Sequence, residues 1–583
     1  MIGTATLEDL QNGDLIQAGP SHRGLKLSAG KNPVILVPQP SDDPNDPLNW
    51  PLWRRDFILL ILCVLSVIAS TLSPLLAANT LTLTLYFRRS FTDVALLTGY
   101  HLLGVGLAGF LFVASARVWG KRHLYILGTV IIIISSIWGG ASGHNYTSLL
   151  WARIFQGVGL APFEALVNAS VGDLYFVHER GKRMALSNLS LFGGAFFTPV
   201  IVGKMTNTLG WQWCFWFLAI FTSAMLPLVI FFCPETTFNR PDYINLDHQR
   251  LADAKQIGGS HDNTYRLNEY PGPDANSVNK SNETSIRALN TSVDTGDPPT
   301  PPSYQRTPYV QTLLPFNGRK TDEPFFKLLL RPFPLFLHPA VLWACLIQGT
   351  LIGWTVLIGV ILAAIMLLPP LSFNEVETGY MYTGAFIGAL LGFALAGLLA
   401  DSSAKWLTRR NGGVYEPEFR MVLVIPQLIF GCAGLYGFGI VANDVRRYGG
   451  FWPDFFFALE VIGMVLGAVA SALYIVDAHK DIVVEAFTCL LVFKNIFSFG
   501  LTFSGYDWLV KGGIRTPFIA VASVQVGICC LTILMCKFPS STLSEAVHSL
   551  WYVECANDFA DVFGKRNRSF FARHDIFQFF HLR

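Results

Sequence analysis

Residues 339–367 read PAVLWACLIQGTLIGWTVLIGVILAAIML, an apolar run without one charged side chain. A helix rises about 1.5 Å per residue, so this run is long enough to cross a hydrocarbon core about 30 Å thick. Comparable apolar stretches recur along the chain and predict twelve transmembrane helices. The predicted spans are 57–78, 94–115, 123–142, 148–169, 184–203, 213–233, 339–367, 379–400, 421–442, 453–476, 482–505 and 514–536.

The composition agrees with a membrane location. The 583 residues are 52% hydrophobic and only 14% charged, and the mean hydropathy is +0.43. A soluble domain has about 25% charged residues, so an ordinary soluble protein is excluded. The spans are continuous apolar runs rather than the alternating segments of about ten residues that form barrel strands. The predicted fold class is therefore an all-α membrane protein.

The spans divide six and six around one long polar gap. Six plus six predicts two six-helix bundles related as an internal repeat, with a binding site between them near mid-membrane. The gap contains few large apolar residues and is predicted to be a flexible linker. The predicted domains are a cytosolic tail at 1–56, an N-terminal bundle at 57–233, a cytosolic linker at 234–338, a C-terminal bundle at 339–536 and a cytosolic tail at 537–583.

The distribution of charge predicts orientation, and the sequence predicts few partners. Short loops rich in Arg and Lys favour the cytosolic side, so both termini are expected there, most simply at the plasma membrane. The ten cysteines lack metal-ligand spacing and are expected to be free thiols. No catalytic triad or phosphate-binding loop is found in the sequence. We therefore expect no enzyme activity, cofactor, metal or nucleic-acid partner, and a monomer that contacts substrate, protons and the lipid bilayer.

Two loops carry related motifs. The loop after the second span reads ARVWGKR and contains Arg117, Gly120, Lys121 and Arg122. The loop after the eighth span begins GLLAD. Its candidate gating residues are Gly397, Asp401, Arg409 and Arg410.

Both loops resemble the loop signature of the major facilitator superfamily. In the first copy Arg117 occupies the position of the signature's acid, whereas the second copy keeps the acid as Asp401. Such a carboxylate can pair with cations or cap a helix and so latch the halves in one state. The alternative for Asp401 is a loop charge that only sets topology.

The fourth span carries a second resemblance to this superfamily. It contains Arg153, Gln156, Gly157 and Gly159 in the superfamily spacing R-x-x-Q-G-x-G. The resemblance implies that Arg153 takes part in proton coupling. The alternative is an arginine that extends to the nearby membrane surface. The two glycines favour close helix packing in either case.

The fifth span is similar to the antiporter signature, a glycine-rich run that ends in Gly-Pro, although here Thr198 replaces the final glycine. Gly194 and Pro199 hold the matching positions. Within the superfamily, the chain therefore resembles the fungal twelve-span drug:proton antiporter-like transporters, which implies export.

Ionisable residues inside predicted spans are functional candidates because burial of a charge in lipid is costly. Glu460 and Lys494 fall at matched depth on consecutive helices, which predicts an ion pair that protonation would release. The alternatives are a static pair or two groups facing different ways. Glu164 follows a proline and is predicted either as a proton or cation site or as a partner of Arg183. His101 is a further proton candidate because imidazole titrates near neutral pH.

Aromatic and amide side chains are the candidates for a substrate cavity. Large apolar faces with a few polar tips suit amphipathic organic molecules. The alternative for each aromatic residue is packing or anchoring at the membrane surface. The candidates are Gln348, Trp354, Tyr382, Asn495 and Phe497.

Three functions are carried forward. The first is a proton-coupled secondary transporter that exports drug-like compounds or secondary metabolites by alternating access. The second is a proton symporter for organic cations such as polyamines, or for other nutrients. The third is a nutrient sensor with transporter architecture, which would signal without flux.

Overall fold

The computed structural model describes residues 5–6, 26, 36, 38–238, 240, 306–411, 414–479 and 482–535. The predicted C-terminal tail, the central part of the predicted linker and most of the N-terminal tail lie outside these residues. Within the described part, helices dominate. One short antiparallel pairing joins β1 (Ala5–Thr6) to β2 (Val414–Tyr415).

The first half of the chain forms a bundle of six long helices. They are α1 (Leu52–Ser70), α2 (Phe91–Trp119), α3 (Arg122–Gly140), α4 (Tyr146–Leu174), α5 (Val177–Leu209) and α6 (Gln212–Phe232). A 3₁₀ turn at Pro47–Asn49 precedes α1, and a short helix at Thr80–Phe87 follows it.

The second half also forms six long helical elements. They are α7 (Pro339–Leu367), α8 (Thr383–Arg410), α9 (Pro417–Asn443), α10 (Phe451–Ala478), α11 (Val483–Gly512) and α12 (Arg515–Met535). Element α9 passes from 3₁₀ geometry through Val424–Gln427 and a π turn at Leu428–Cys432 into Ala433–Asn443. Short helices lie at Glu375–Tyr380 and Val445–Tyr448.

The all-α membrane fold predicted from the sequence is confirmed. Eleven helices in the described part of the chain are long and apolar enough to cross a membrane. Helix α1 is the twelfth long helix. It is not among these eleven because three charged residues, Arg54, Arg55 and Asp56, lie in its first turns. These charges sit at the end of the bundle rather than inside it.

The predicted continuous span 57–78 is wrong in its second half. Helix α1 ends at Ser70, and the chain runs through turns until the helix Thr80–Phe87 begins. Pro74 explains the break, because proline has no N–H to donate to the carbonyl of Ser70 and disfavours helical geometry at the residue before it.

Each half has its own apolar core, and two helix pairs join the halves. Leu62, Phe163 and Phe215 belong to the first core, whereas Leu351 and Phe438 belong to the second. Helix α2 packs along α11, and α5 packs along α8. Because neither half covers these four helices by itself, the surface between the halves is the natural place for a site.

The two ends of the molecule are named here by the chain segments they carry. The linker face carries the start of α1, the end of α6 and the start of α7. The opposite face carries Thr80–Phe87 and Glu375–Tyr380. We expect the linker face to be cytosolic, because Arg117, Lys121 and Arg122 lie there.

Part of the predicted linker is helical and packed. Residues 306–338, called the strap below, include helices at Tyr309–Thr312 and Phe325–Leu330 and a 3₁₀ turn at Phe333–Leu337. Leu328 packs against Val118 of α2, and Leu335 belongs to the core of the second half. The strap therefore contacts both halves on the linker face.

Candidate functional site

Arg153 of α4 lies against the break in α1. Its guanidinium is fully buried and donates to the carbonyl oxygens of Leu72 at 2.7 Å and Leu97 at 3.3 Å. It also donates to the carbonyl oxygen of Ser73 at 3.4 Å and to Oε1 of Gln156 at 2.9 Å. The broken helix leaves carbonyls without a helical donor, and Arg153 supplies one. The alternative of a surface-directed arginine is wrong.

His101 of α2 completes this cluster. Its Nε2 lies 3.2 Å from the hydroxyl of Ser73, and its Nδ1 lies 3.3 Å from the carbonyl oxygen of Arg153. The ring is completely buried. Gln156 donates to the hydroxyl of Ser136 on α3 at 3.1 Å. The cluster therefore ties α1, α2, α3 and α4 together within one half.

The glycines of the α4 motif set helix spacing. A Cβ on Gly157 would overlap the carbonyl oxygen of His101, so only glycine allows α4 this close to α2. A Cβ on Gly159 would lie 2.7 Å from Ile132 of α3. The glycines of the R-x-x-Q-G-x-G motif therefore bring α4 against two neighbours at once.

Glu164 and Lys494 form an ion pair between the two halves. Nζ of Lys494 on α11 contacts Oε1 of Glu164 on α4, and the side chains are 9% and 12% exposed. Nδ2 of Asn495 donates to Oε2 of Glu164 at 3.4 Å and to the carbonyl oxygen of Leu491 at 2.9 Å. Glu164 lies ten residues before the end of α4, about 15 Å from the linker face. The pair is therefore near mid-membrane.

The predicted Glu460 to Lys494 pair does not form. Glu460 is completely buried, and the hydroxyl of Thr355 on α7 lies 2.8 and 3.0 Å from its two carboxylate oxygens. Helix α10 presents Glu460 to α7 and to Gly434 of α9, whereas α11 turns Lys494 toward α4. The predicted match in depth is also wrong. Glu460 lies eighteen residues before the linker-face end of α10, about 27 Å, whereas Lys494 lies eleven residues after the linker-face start of α11, about 16 Å.

Glu164 also does not pair with Arg183, as the second alternative supposed. Arg183 binds Asp56, with Nε 3.0 Å from Oδ1. Pro162, two residues before Glu164, lies inside α4. The helix continues past it to Leu174.

Of the five predicted substrate-cavity residues, Trp354 and Phe497 contact each other, and the other three lie against different neighbours. The rings of Trp354 and Phe497 pack edge to face with centroids 5.2 Å apart. Asn495 joins the Glu164 carboxylate, as described above. Gln348 is half-buried, and its Oε1 accepts from the hydroxyl of Ser471 at 3.2 Å. Tyr382 is buried and donates to the carbonyl oxygen of Gly359, away from this group.

Gln525 of α12 contacts the predicted cavity residue Trp354 but was not among the residues predicted from the sequence. Its Oε1 accepts from Trp354 Nε1 at 3.2 Å and from the hydroxyl of Thr350 at 2.8 Å. It is completely buried. A lone glutamine in an apolar span was the available signal, because an amide there needs a partner within the protein.

The first loop motif forms an ion pair between the halves. Arg117 at the end of α2 donates from Nη1 to Oε1 of Glu485 at 2.5 Å, and Glu485 lies in the first turn of α11. Arg331 of the strap lies 3.6 Å from the same carboxylate oxygen. These three residues are called the linker-face latch. Glu485 was missed, although the cation at the acid position of the motif implies a compensating acid elsewhere.

The rest of the first motif is held within the first half. Gly120 has φ +89°, in the left-handed region that favours glycine. Nζ of Lys121 lies 2.5 Å from Asp173. Arg122 donates to carbonyl oxygens at Ile230 and Cys233, and Glu235 accepts from the backbone N–H groups of Lys121 and Arg122 at 3.0 Å. Glu235 thus caps the start of α3.

The second loop motif makes its contacts within the second half. Asp401 accepts from Nη1 of Arg420 at 3.3 Å, and Arg420 also lies 3.1 Å from Asp477. Asp401 is largely exposed, and nothing packs where a Cβ on Gly397 would lie. Arg409 and Arg410 are exposed at the end of α8. No described contact of Asp401 reaches the first half, so the inter-half role belongs to the first motif instead.

The α5 motif lies at two helix junctions. Gly194 lets α5 approach Ser70 and Val67 of α1. The carbonyl oxygen of Pro199 would lie 2.7 Å from a Cβ on Gly379, so α5 packs closely on Glu375–Tyr380. The hydroxyl of Thr82 donates to Oε1 of Glu375 at 2.6 Å. The two halves therefore meet at the opposite face as well.

The sequence matches known proteins over most of its length. A family model described as the Major Facilitator Superfamily matches residues 58–481. Protein HOL1 of Saccharomyces cerevisiae is 25% identical over 575 residues, which cover 94% of this chain and 95% of that protein. The MFS transporter cpaT of Aspergillus oryzae is 24% identical over 488 residues, covering 83% of this chain and 87% of that protein.

A solved structure shares the fold. The xylose transporter XylE from E. coli, in a partially occluded inward open conformation, matches with a TM-score of 0.54 and 10% identity. The match covers 82% of this chain and 97% of that chain. At this identity the likeness concerns the fold alone.

Substitution of Gly157 tests the packing of α4 on α2. We expect Gly157→Leu to lower the free energy of unfolding by about 1–3 kcal/mol, because the new side chain overlaps the backbone of α2. Gly172→Ala on the same helix is the control, because nothing lies within 4 Å of a Cβ there. Thermal unfolding of the purified protein measures both. Equal melting temperatures for the two variants would contradict this packing.

A double-mutant cycle tests the linker-face latch. We expect Arg117→Gln and Glu485→Gln to couple by about 1 kcal/mol in thermal unfolding, because Glu485 is only 5% exposed while Arg117 is about one-third exposed. The same cycle on Asp56 and Arg183 is the matched control within one half, and its more exposed pair should couple less. Additive effects of the Arg117 and Glu485 substitutions would show that the pair contributes nothing.

Proposed function

The chain belongs to the major facilitator superfamily, and we propose that within this family of secondary transporters it moves small organic molecules by proton-coupled alternating access. Its relatives and its fold are those of transporters rather than enzymes. The proposal adds a coupling ion and a place where that ion acts. Both rest on the contacts between the two halves.

The observation that carries the proposal is the Glu164 to Lys494 ion pair. It joins α4 of one half to α11 of the other near mid-membrane, where each charge would be costly alone. Protonation of Glu164 removes one charge of the pair and leaves Lys494 without its counter-ion. A proton therefore weakens a contact between the halves, which is the differential effect that coupling requires.

Alternating access requires that contacts on one face separate while those on the other persist. The described polar contacts between the two bundles lie at three levels. They are Thr82 with Glu375 at the opposite face, Glu164 with Lys494 at mid-depth, and Arg117 with Glu485 at the linker face. Rocking of two rigid bundles changes these contacts and spares those within each bundle. The central pair is the one that a substrate or proton reaches at mid-depth.

The other ionisable candidates receive different roles. Arg153 and His101 hold the broken α1 in place, and we assign them a positioning role in the first half. Glu460 has a hydroxyl as its described partner and no cation, so we assign it as a second proton-carrying acid, in the second half. Its contact with Thr355 stays within one bundle, and its protonation would act there.

The substrate we propose is a drug-like compound or secondary metabolite moved outward. Trp354 and Phe497 supply apolar ring faces beside the amide of Gln525, and Asn495 supplies a second amide at the Glu164 carboxylate. Apolar rings with a few polar groups suit amphipathic molecules. We place the protein in the plasma membrane as a monomer with both termini in the cytosol. The cations on the linker face support that orientation.

A second candidate is symport of organic cations, and one contact favours it. The cationic partner of Glu164 is the primary ammonium of Lys494, so a substrate ammonium fits the same carboxylate. Such a substrate would displace Lys494 and separate the halves in the same way as a proton. The direction of the proton gradient that drives accumulation distinguishes the two candidates.

Flux in proteoliposomes tests the coupling. With a fluorescent organic cation or radiolabelled spermidine as probe, we expect Glu164→Gln to lose uphill accumulation by at least tenfold while keeping downhill exchange. The amide cannot bind and release the proton that drives the cycle. Glu179→Gln is the control, because Glu179 pairs with Arg55 inside the first half. Unchanged uphill accumulation in Glu164→Gln would remove the pair from the mechanism.

The sign of the gradient tests direction. In vesicles whose linker face points outward, export by antiport predicts accumulation only when the interior is acid, because protons leave as substrate enters. Symport in the import direction predicts efflux from loaded vesicles of this orientation when the interior is acid. Accumulation that ignores the gradient would contradict both forms of proton coupling.

A further inference from the structure

A groove of ≈ 1160 Å³ opens on the linker face, outside the surface between the halves. Its walls come from the segment before α1, the end of α6 and the first part of the strap. Eight of the residues that line it are aromatic. The aromatic residues are Trp50, Trp53, Phe57, Phe231, Phe232, Phe238, Tyr309 and Phe316.

The groove carries an excess of positive charge. Arg54, Arg122, Arg306 and Lys320 line it, against the carboxylates of Asp43 and Glu235. Glu235 is occupied by backbone N–H groups at the start of α3, and Arg122 by backbone carbonyls. These two charges serve the fold rather than a ligand.

Arg54 and Arg306 are the charges directed to the groove. The guanidinium of Arg54 lies over the ring of Trp50, 4.3 Å from its centroid, and Arg306 is exposed and close enough to repel it. No carboxylate among the described residues forms an ion pair with either. The other acid in the lining besides Glu235 is Asp43, whose Oδ1 accepts from the backbone and side-chain N–H groups of Asn45.

The two arginines are held in place from both sides. Arg54 belongs to the first turn of α1. Thr307, next to Arg306, donates from its backbone N–H and its hydroxyl to Oδ1 of Asn45 at 2.9 and 2.7 Å. Tyr309 donates to the carbonyl oxygen of Phe231 at 2.7 Å. The contacts of Thr307 and Tyr309 hold the segment that carries Arg306 beside the start of α1, which carries Arg54. None of these contacts supplies a negative charge to either arginine.

The groove also lies at the boundary of the apolar surface. Trp53 is 71% exposed, and Phe231 and Phe232 are about half exposed at the end of α6. Aromatic residues at helix ends sit at the headgroup level of a bilayer, and arginines there pair with lipid phosphates. An anion that also carries acyl chains satisfies both the charges and the rings.

We propose that this groove binds the headgroup of an anionic phospholipid. Its phosphate lies between Arg54 and Arg306, because guanidinium groups bind phosphate oxygens in a bidentate manner. Its acyl chains lie along Phe57, Phe231 and Phe232. Because the strap forms one wall, the bound lipid holds the start of the strap against the first half.

Binding of soluble short-chain lipids to the delipidated full-length protein tests the proposal. We expect dioctanoyl phosphatidylserine to bind at least tenfold more tightly than dioctanoyl phosphatidylcholine, by microscale thermophoresis and native mass spectrometry. The variant R54Q/R306Q should lose at least tenfold in affinity for phosphatidylserine and none for phosphatidylcholine. High salt should weaken the phosphatidylserine complex.

The matched control is R410Q. Arg410 lies over the ring of Trp406 at 4.3 Å, on the linker face of the second half and outside this groove. It should bind phosphatidylserine as the unmodified protein does. R306Q alone removes an exposed side chain, so it keeps the test valid if the double variant does not fold, and it should still weaken binding about threefold to fivefold.

Three results would overturn the proposal. The first is equal affinity for the two lipids, and the second is unchanged phosphatidylserine binding in R54Q/R306Q or R306Q. The third is displacement of phosphatidylserine by an equal concentration of inorganic phosphate, which would show an anion site without lipid character. None of these measurements requires transport, so their outcome is independent of the proposed function.

Discussion

Inside a bilayer core there is no water to pair with a polar group, so each such group must find its partner within the protein. The break in α1 shows how this constraint shapes the fold. Pro74 ends the helix and leaves carbonyl oxygens exposed, and Arg153 of α4 donates to two of them from a position that no solvent reaches. The carbonyl oxygens of the broken helix accept from the buried guanidinium, and the guanidinium supplies the donors that these carbonyls lack. His101 then fixes the same region through Ser73.

The partners fall into two classes that behave differently when the halves move. Arg153 with the α1 carbonyls, Glu460 with Thr355, and Trp354 with Gln525 are contained in one bundle. A rigid-body movement of one bundle against the other would leave these contacts intact, and they stabilise the packing of helices within each bundle. Glu164 with Lys494 and Arg117 with Glu485 cross between bundles, so any movement of one bundle against the other would change them. Under the proposed mechanism, only the contacts of the second class could link proton or substrate binding to movement of the bundles.

The sequence predicted the number and order of the long helices because hydropathy and length depend on local composition alone. It also predicted that Gly157 and Gly159 allow close helix packing, because a glycine leaves room for a neighbouring backbone. It did not predict partners. Glu460 and Lys494 were placed at one depth from soft span boundaries, but the helix bounds put them about 11 Å apart along the membrane normal. Helix rotation also decides which neighbour a side chain meets, and helices adjacent in sequence need not face each other. The break of α1 at Ser70 was missed for a different reason: Pro74 was visible, but its neighbours are apolar enough to be counted as part of the span.

The strap adds a constraint that two bundles alone would lack. The backbone N–H of Lys320 donates to the carbonyl oxygen of Val118 on α2, and the carbonyl oxygen of Pro332 accepts from Cys489 on α11. The strap is therefore fixed to one bundle at Lys320 and to the other at Pro332, twelve residues later. Arg331 and Arg117 approach the same carboxylate of Glu485. If the linker face opens, Arg117 moves away with the first half, and Arg331 can remain with Glu485 as its counter-ion. A buried acid that keeps one cation in either state avoids the full cost of desolvation, so the second arginine lowers the energy needed to separate the halves.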